Sequence, residues 1–170
     1  TGFVANLRAH DIDPTAGPAL VLGAGGAARA IAAVLLEESV PVSLCNRTPE
    51  HAEALARDLP GLSALGWAQR AAALRDHALV VNTTSLGMTG HPPLDLDLRA
   101  APPGLVVADI VYAPLETPLL AAARVAGLRA VGGLGMLLHQ AVPGFAAWFG
   151  VTPVVDGALY RFVAADLLPP

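Results

Sequence analysis

Residues 19–35 read ALVLGAGGAARAIAAVL. An apolar run meets a cluster of glycines and then a long alanine-rich segment. Such a run, bounded by glycine, suits a strand buried on both faces, and the segment after it suits a helix. Gly23, Gly25 and Ala28 match the pattern G-x-G-x-x-G/A between strand and helix. Gly23 permits a sharp bend, Gly25 lets the backbone approach a pyrophosphate, and Ala28 lets the helix pack closely on the strand. The free N–H groups at the start of the helix then face an anion, aided by the helix dipole. Accidental glycines in a plain turn would look similar. The strand–turn–helix context is what favours a dinucleotide cradle.

The flanking sequence repeats the alternation. Strands are expected at 19–23, 41–45, 63–65, 78–82, 105–110 and 128–131. Helices are expected at 27–38, 50–59, 68–75, 117–126, 134–149 and 156–168, after an amphipathic opening helix in TGFVANLRAH. Strands alternating with helices predict an α/β fold, a doubly wound and mostly parallel sheet of Rossmann-like type with C-terminal helices. The stretch GMTGHPPLDLDLRAAPPG, at 87–104, is expected to be a long loop at a strand end, where ligand-binding loops gather. Residues 1–132 are taken as the nucleotide-binding domain and 133–170 as the C-terminal helices.

The second strand ends in Asn46-Arg47-Thr48, about twenty residues beyond the glycines, where the fingerprint expects a ribose-reading residue. An NAD enzyme usually carries an acid there, and a carboxylate repels a 2′-phosphate. Here Arg47 offers a planar guanidinium that can pair with phosphate, with Asn46 and Thr48 adding hydrogen-bonding groups. The pattern favours NADP over NAD. Glu50 would weaken the preference if it pointed inward.

Composition narrows the function classes. Of 170 residues, 54% are hydrophobic and only 14% charged, against about a quarter charged in an average soluble domain. The surplus implies apolar surface meant for a partner or for another part of the same protein. Net charge is −4 and all ten basic residues are arginines without clustering, which argues against nucleic acid. No apolar run is long enough to span a bilayer and no signal-peptide pattern appears, so a cytoplasmic setting is expected. Cys45 stands alone, which excludes an internal disulfide and makes metal ligation improbable. It reads as a small core residue rather than a nucleophile. No role is expected for His10, His77 or His91. A chain opening on Thr-Gly-Phe is read as a fragment or processed product.

Taken in order, GAGGAARA, NRTPEHAEALA, VVNTTSLGM, DIVYAPLETPLL and GGLGMLLHQAVPGFAAWFG resemble the shikimate dehydrogenase family, from residue 2 to about residue 167. That family reduces 3-dehydroshikimate to shikimate with NADPH in aromatic amino-acid biosynthesis. The resemblance implies that Gly23, Ala24, Gly25, Gly26 and Ala27 hold the pyrophosphate, and Asn46, Arg47 and Thr48 the 2′-phosphate. His51 stands where the family often has a second basic residue. Histidine as a class changes charge between about pH 5 and 8, so phosphate affinity is expected to be weaker or more pH-dependent. Thr84, Ser85 and Ile110 would lie near the nicotinamide, and Gly133 would let backbone approach its amide. Tyr112 and Gln140 would reach the substrate. Gln140 also shares a helix face with Met136, among apolar neighbours where an unpaired amide is costly to bury. His139 is expected to point elsewhere. For Thr84 and Ser85 the competing reading is hydroxyls that satisfy their own turn, and for Tyr112 a half-buried core aromatic.

Two family features are missing. The proton-transferring Lys–Asp pair has no counterpart, since the chain has no Lys and lacks the Asn-Thr-Asp-Gly segment that precedes Gly2-Phe3 in the family. No catalytic residue is therefore assigned. Asp109 is expected to structure its strand end rather than act as a substitute acid. The chain alone is expected to bind NADP(H) without useful reduction of the substrate. The last helices, which in the family return toward the substrate domain, are expected to expose Phe145 and Trp148 and to drive self-association or repacking. A quinate-active relative, a stand-alone NADP-binding module, and the methylene-tetrahydrofolate dehydrogenase or glutamyl-tRNA reductase domains are the alternatives. NTTSLGM and GLGMLLHQ speak against the last two.

Overall fold

The computed structural model describes residues 2–167. Six strands form one sheet: β1 (Ala19–Leu22), β2 (Val42–Asn46), β3 (Leu62–Gly66), β4 (Leu79–Asn82), β5 (Val106–Asp109) and β6 (Arg129–Val131). Every pairing is parallel and the order is β3-β2-β1-β4-β5-β6. The helices are α1 (Gly2–Ala9), α2 (Gly26–Glu37), α3 (Pro49–Asp58), α4 (Arg70–Ala73), α5 (Pro118–Val125), α6 (Gly133–Phe149) and α7 (Gly157–Ala165). Short 3-10 turns flank α4, and another, Leu98–Ala100, lies within the long loop.

Both faces of the sheet are apolar. On one side Val21, Leu44 and Val81 join α1, α2 and α3 through Leu7, Ile31, Leu35 and Leu55. On the other, Leu20, Leu22, Cys45, Val80 and Val107 join Leu74, Leu119 and Ala123. Alternate strand residues thus feed opposite cores, as the pleat requires. In α2 the buried residues Ala28, Ile31, Ala32 and Leu35 follow i, i+3, i+4, i+7. The helix ends where Ser39 turns left-handed, at φ 63°. Pro49 opens α3, and the Thr117 hydroxyl caps α5 by accepting from the Leu120 N–H.

Strand order reverses direction between β1 and β4, which opens a crevice at their C-terminal ends. The two ends are stitched together, as the Thr83 N–H and hydroxyl both donate to the Leu22 carbonyl, at 2.9 and 2.7 Å.

The last helices differ from the rest. In α6 only Gly133, Leu134 and Gly135 are buried, and α7 buries none of its residues. The first turns of α6 pack against α1 through small residues, and the Asn6 amide donates to the Gly132 carbonyl at 3.1 Å. Beyond Pro143 the helix runs outward to Gly150, exposing Phe145 (42%), Trp148 (80%) and Phe149 (65%).

Candidate functional site

The glycine turn lies at the mouth of the crevice. Gly23 has φ 113°, a conformation that side chains rarely adopt, and a Cβ there would meet Thr83 Oγ1 at 2.6 Å. Gly25 caps α2 in extended conformation, no side chain caps that helix, and its first turn holds no acid. The N–H groups at this end therefore remain available to an anion. A Cβ on Gly25 or Gly26 would meet nothing within 4 Å. The chain itself does not demand small residues at those two positions. An approaching ligand does, and this open cradle fits a pyrophosphate.

Asn46 ends β2, and its side-chain amide donates to the Thr48 carbonyl at 2.9 Å. That bond shapes the turn that presents Arg47, which is exposed. Thr48 is the N-cap of α3 but makes no side-chain cap, so its hydroxyl is uncommitted there. A cavity of about 350 Å³ between α2 and α3 brings together Ala24, Gly25, Gly26 and His51. Arg29 joins them, ion-paired to Asp58. Sequence reasoning missed Arg29, although it sits one helical turn beyond Gly25 and Gly26 on their side of α2. Glu50 does not line this cavity.

At the end of β4 the structure shows a buried polar network. Asn82 Oδ1 accepts from the Thr84 N–H (3.0 Å) and hydroxyl (2.7 Å), while its Nδ2 donates to Asp109 Oδ1 at 3.0 Å. Asp109 also accepts from the Val111 N–H (3.1 Å) and the Thr117 hydroxyl (2.7 Å). Burial pushes the Asp109 carboxyl above its ordinary range, and the bonds from Thr117, Val111 and Asn82 pull the other way. Asp109 thus holds the β5 end to the start of α5. The Thr84 hydroxyl also accepts from the Leu86 N–H at 3.1 Å, so it serves its own turn. Ser85 stands exposed beside it. Asn82 opens the NTTSLGM stretch, but sequence reasoning gave it no role, and its full burial is what marks it.

Ile110 packs at the edge of the core, and Tyr112 is 41% exposed rather than a core aromatic. Gly133 donates its N–H to the Val111 carbonyl at 3.2 Å, and a Cβ there would collide with the Ile110 carbonyl. The chain's own close approach requires that glycine.

A larger cavity, about 860 Å³, runs between α1, α2 and α6. Met136 and Gln140 line it together, as their spacing predicts, with Gly26 and Ala27 at its edge. Two expectations are corrected here. Gln140 is exposed, so the cost of burying its amide does not arise. His139 lines the same cavity instead of pointing away from it. Burial, and then the nearby His10, hold its pKa below 6.5. Among the described residues no group of three His, Cys, Asp or Glu could hold a metal, and no helix is long and apolar enough to cross a membrane.

Comparison with known proteins matches residues 8–87 to the family model Shikimate / quinate 5-dehydrogenase. A shikimate dehydrogenase (NADP(+)) of Acidiphilium cryptum is 74% identical over 168 residues, which are 99% of this chain and 60% of that protein. The crystal structure of shikimate 5-dehydrogenase from Thermus thermophilus, in complex with NADP(H) and shikimate, is 38% identical with a TM-score of 0.84, over 98% of this chain and 61% of that one. A quinate dehydrogenase from Corynebacterium glutamicum in complex with NAD is 28% identical with a TM-score of 0.85, over 98% of this chain and 61% of that one. The chain spans about 60% of the length of the curated relatives it matches. Sequence identity, sheet order and the glycine turn agree in showing that this chain belongs to the shikimate dehydrogenase family.

Proposed function

We propose that this chain is the NADP(H)-binding part of a shikimate dehydrogenase, an NADPH-dependent oxidoreductase that reduces 3-dehydroshikimate to shikimate. The observation that carries this reading is the uncapped start of α2 beside two glycines whose missing side chains leave open space. NADPH, when bound, supplies the hydride. The protein's part is to hold the cofactor. Backbone N–H groups at Gly25, Gly26 and Ala27 face the pyrophosphate, and Arg47, Asn46 and Thr48 face the 2′-phosphate. Ile110 and the turn at Thr84 and Ser85 flank the nicotinamide, while Tyr112 and Gln140 contact substrate. Both of these last two side chains are exposed and free to do so.

In this reading the proton donor comes from outside these 170 residues, since no Lys is present to pair with an acid. The chain alone then binds cofactor without turnover. Residues 1–132 form the nucleotide-binding unit, and 133–170 dock on the substrate-binding part that relatives carry in their remaining length. The quinate dehydrogenase neighbour keeps a second substrate in view, and the contacts that choose between them lie mainly outside this chain.

Titration with NADPH and NADH, on the chain and on Arg47→Ala, tests the assignment. Loss of a charge-assisted phosphate contact is expected to cost about 1.5–3 kcal/mol for NADPH. NADH affinity is expected to stay nearly unchanged. Equal loss for both cofactors would remove Arg47 from the 2′-phosphate site.

A further inference from the structure

The cavity between α2 and α3 contains a cation that the fingerprint does not name. Its polar side chains are Arg29 and His51, and Gly25, Gly26, Ala54 and Leu55 supply much of the rest. No carboxylate lines it. Arg29 is tethered by Asp58, one turn further along α3 from Ala54 and Leu55, through its Nη2 alone. Among the described residues Nη1 and Nε carry no other bond, so their three N–H groups remain to donate to an anion. The ion pair lies at the surface, with both side chains about half exposed, so it orients Arg29 while contributing little to folding. Arg47 does not line this cavity. It projects from the exposed turn four residues before His51.

We infer that Arg29, oriented by Asp58, is a second cationic reader of the adenosine 2′-phosphate, acting beside His51 across the cavity from the Arg47 turn. The inference rests on the NADP reading above and adds to it a residue that sets cofactor preference. A guanidinium fixed by a carboxylate at its far edge presents its remaining N–H groups with little conformational freedom to lose. That favours one charged group of matching geometry. The 2′-phosphate is present in NADPH and absent from NADH, whereas the pyrophosphate is common to both. The two cofactors therefore separate the possible contacts.

The test is calorimetric titration of NADPH and NADH into the full chain, Arg29→Met and Arg29→Lys. Thermal unfolding without ligand serves as the folding control. Arg29→Met is expected to weaken NADPH about tenfold and NADH less than twofold, with an unchanged melting point. Arg29→Lys, which keeps the charge but loses the fork, is expected to fall between, and it carries the test should the Met variant fold poorly. Equal weakening of both cofactors would place Arg29 on the pyrophosphate and overturn the inference. So would unchanged NADPH affinity, which would leave Arg29 only as Asp58's surface partner. If the unsubstituted chain bound neither cofactor, the NADP reading itself would fall. If it preferred NADPH while Arg29→Met changed nothing, only the present inference would.

Discussion

Asp109 shows how much one side chain decides at the heart of the sheet. It is 2% exposed and accepts from Asn82, Val111 and Thr117, which tie together the ends of β4 and β5 and the start of α5. Asp109→Ala leaves buried donors without acceptors, and a loss of about 2–4 kcal/mol is expected in urea unfolding. A loss below about 1 kcal/mol would mean that the network is dispensable. Asp109→Asn should cost less, because burial already pushes the carboxyl toward its neutral form. The sign of the pH dependence follows. With the folded pKa raised above 3.8, the contribution of the protonated acid is complete below that value and fades as pH rises through the folded pKa. The difference between the unsubstituted chain and Asp109→Asn should shrink or reverse over that range. The structural role of Asp109 was legible from its place at a strand end. The partnership with Asn82 and Thr117 was not, since it joins residues 27 and 8 positions apart. Cys45 behaves as its apolar strand implied, its thiol pushed up to about 11 mainly by burial against a smaller opposing pull from Arg70.

At the scale of elements, periodicity carried most of the information. All six strands and the main helices lie within about two residues of their expected bounds, save α7, which ends at Ala165 and not at the expected 168, a residue outside those described. Apolar runs and glycine turns are local signals, and local signals survive folding. Packing between distant elements is a different matter. The close approach of Gly133 to Ile110, and the exposure of Gln140, depend on what lies opposite, which no local pattern encodes. For α6 and α7 the resemblance implies that Phe145 and Trp148 are exposed, and the structure agrees. Their apolar residues would suit a buried hairpin, yet Phe145, Trp148, Phe149 and Phe162 face outward, with Phe145 and Phe149 in contact at 4.6 Å between ring centroids. An exposed aromatic patch of this kind seeks cover. Sedimentation of the chain is therefore expected to show concentration-dependent association that Trp148→Ser weakens. A monomer at every concentration, with or without Trp148, would contradict this.

For the whole molecule, the parallel sheet with its order reversing between β1 and β4 sets the place of binding, and the sequence of the first turn sets its chemistry. The glycine turn and the Asn46-Arg47-Thr48 end were legible in residues 19–35 and 46–48, whereas the strand order came only with the folded sheet. Arg29 and His139 entered only with the assembled cavities, because each faces its site from a helix whose orientation the fold decides. The central claim is that the turn at Gly23–Ala27 and the Arg47 turn together hold one NADP(H). A crystal structure of the chain grown with NADPH tests it most directly. The pyrophosphate should lie against the backbone N–H groups of Gly25, Gly26 and Ala27, with the 2′-phosphate in hydrogen-bonding reach of Arg47. An empty turn, or an adenosine lodged elsewhere on the molecule, would contradict it.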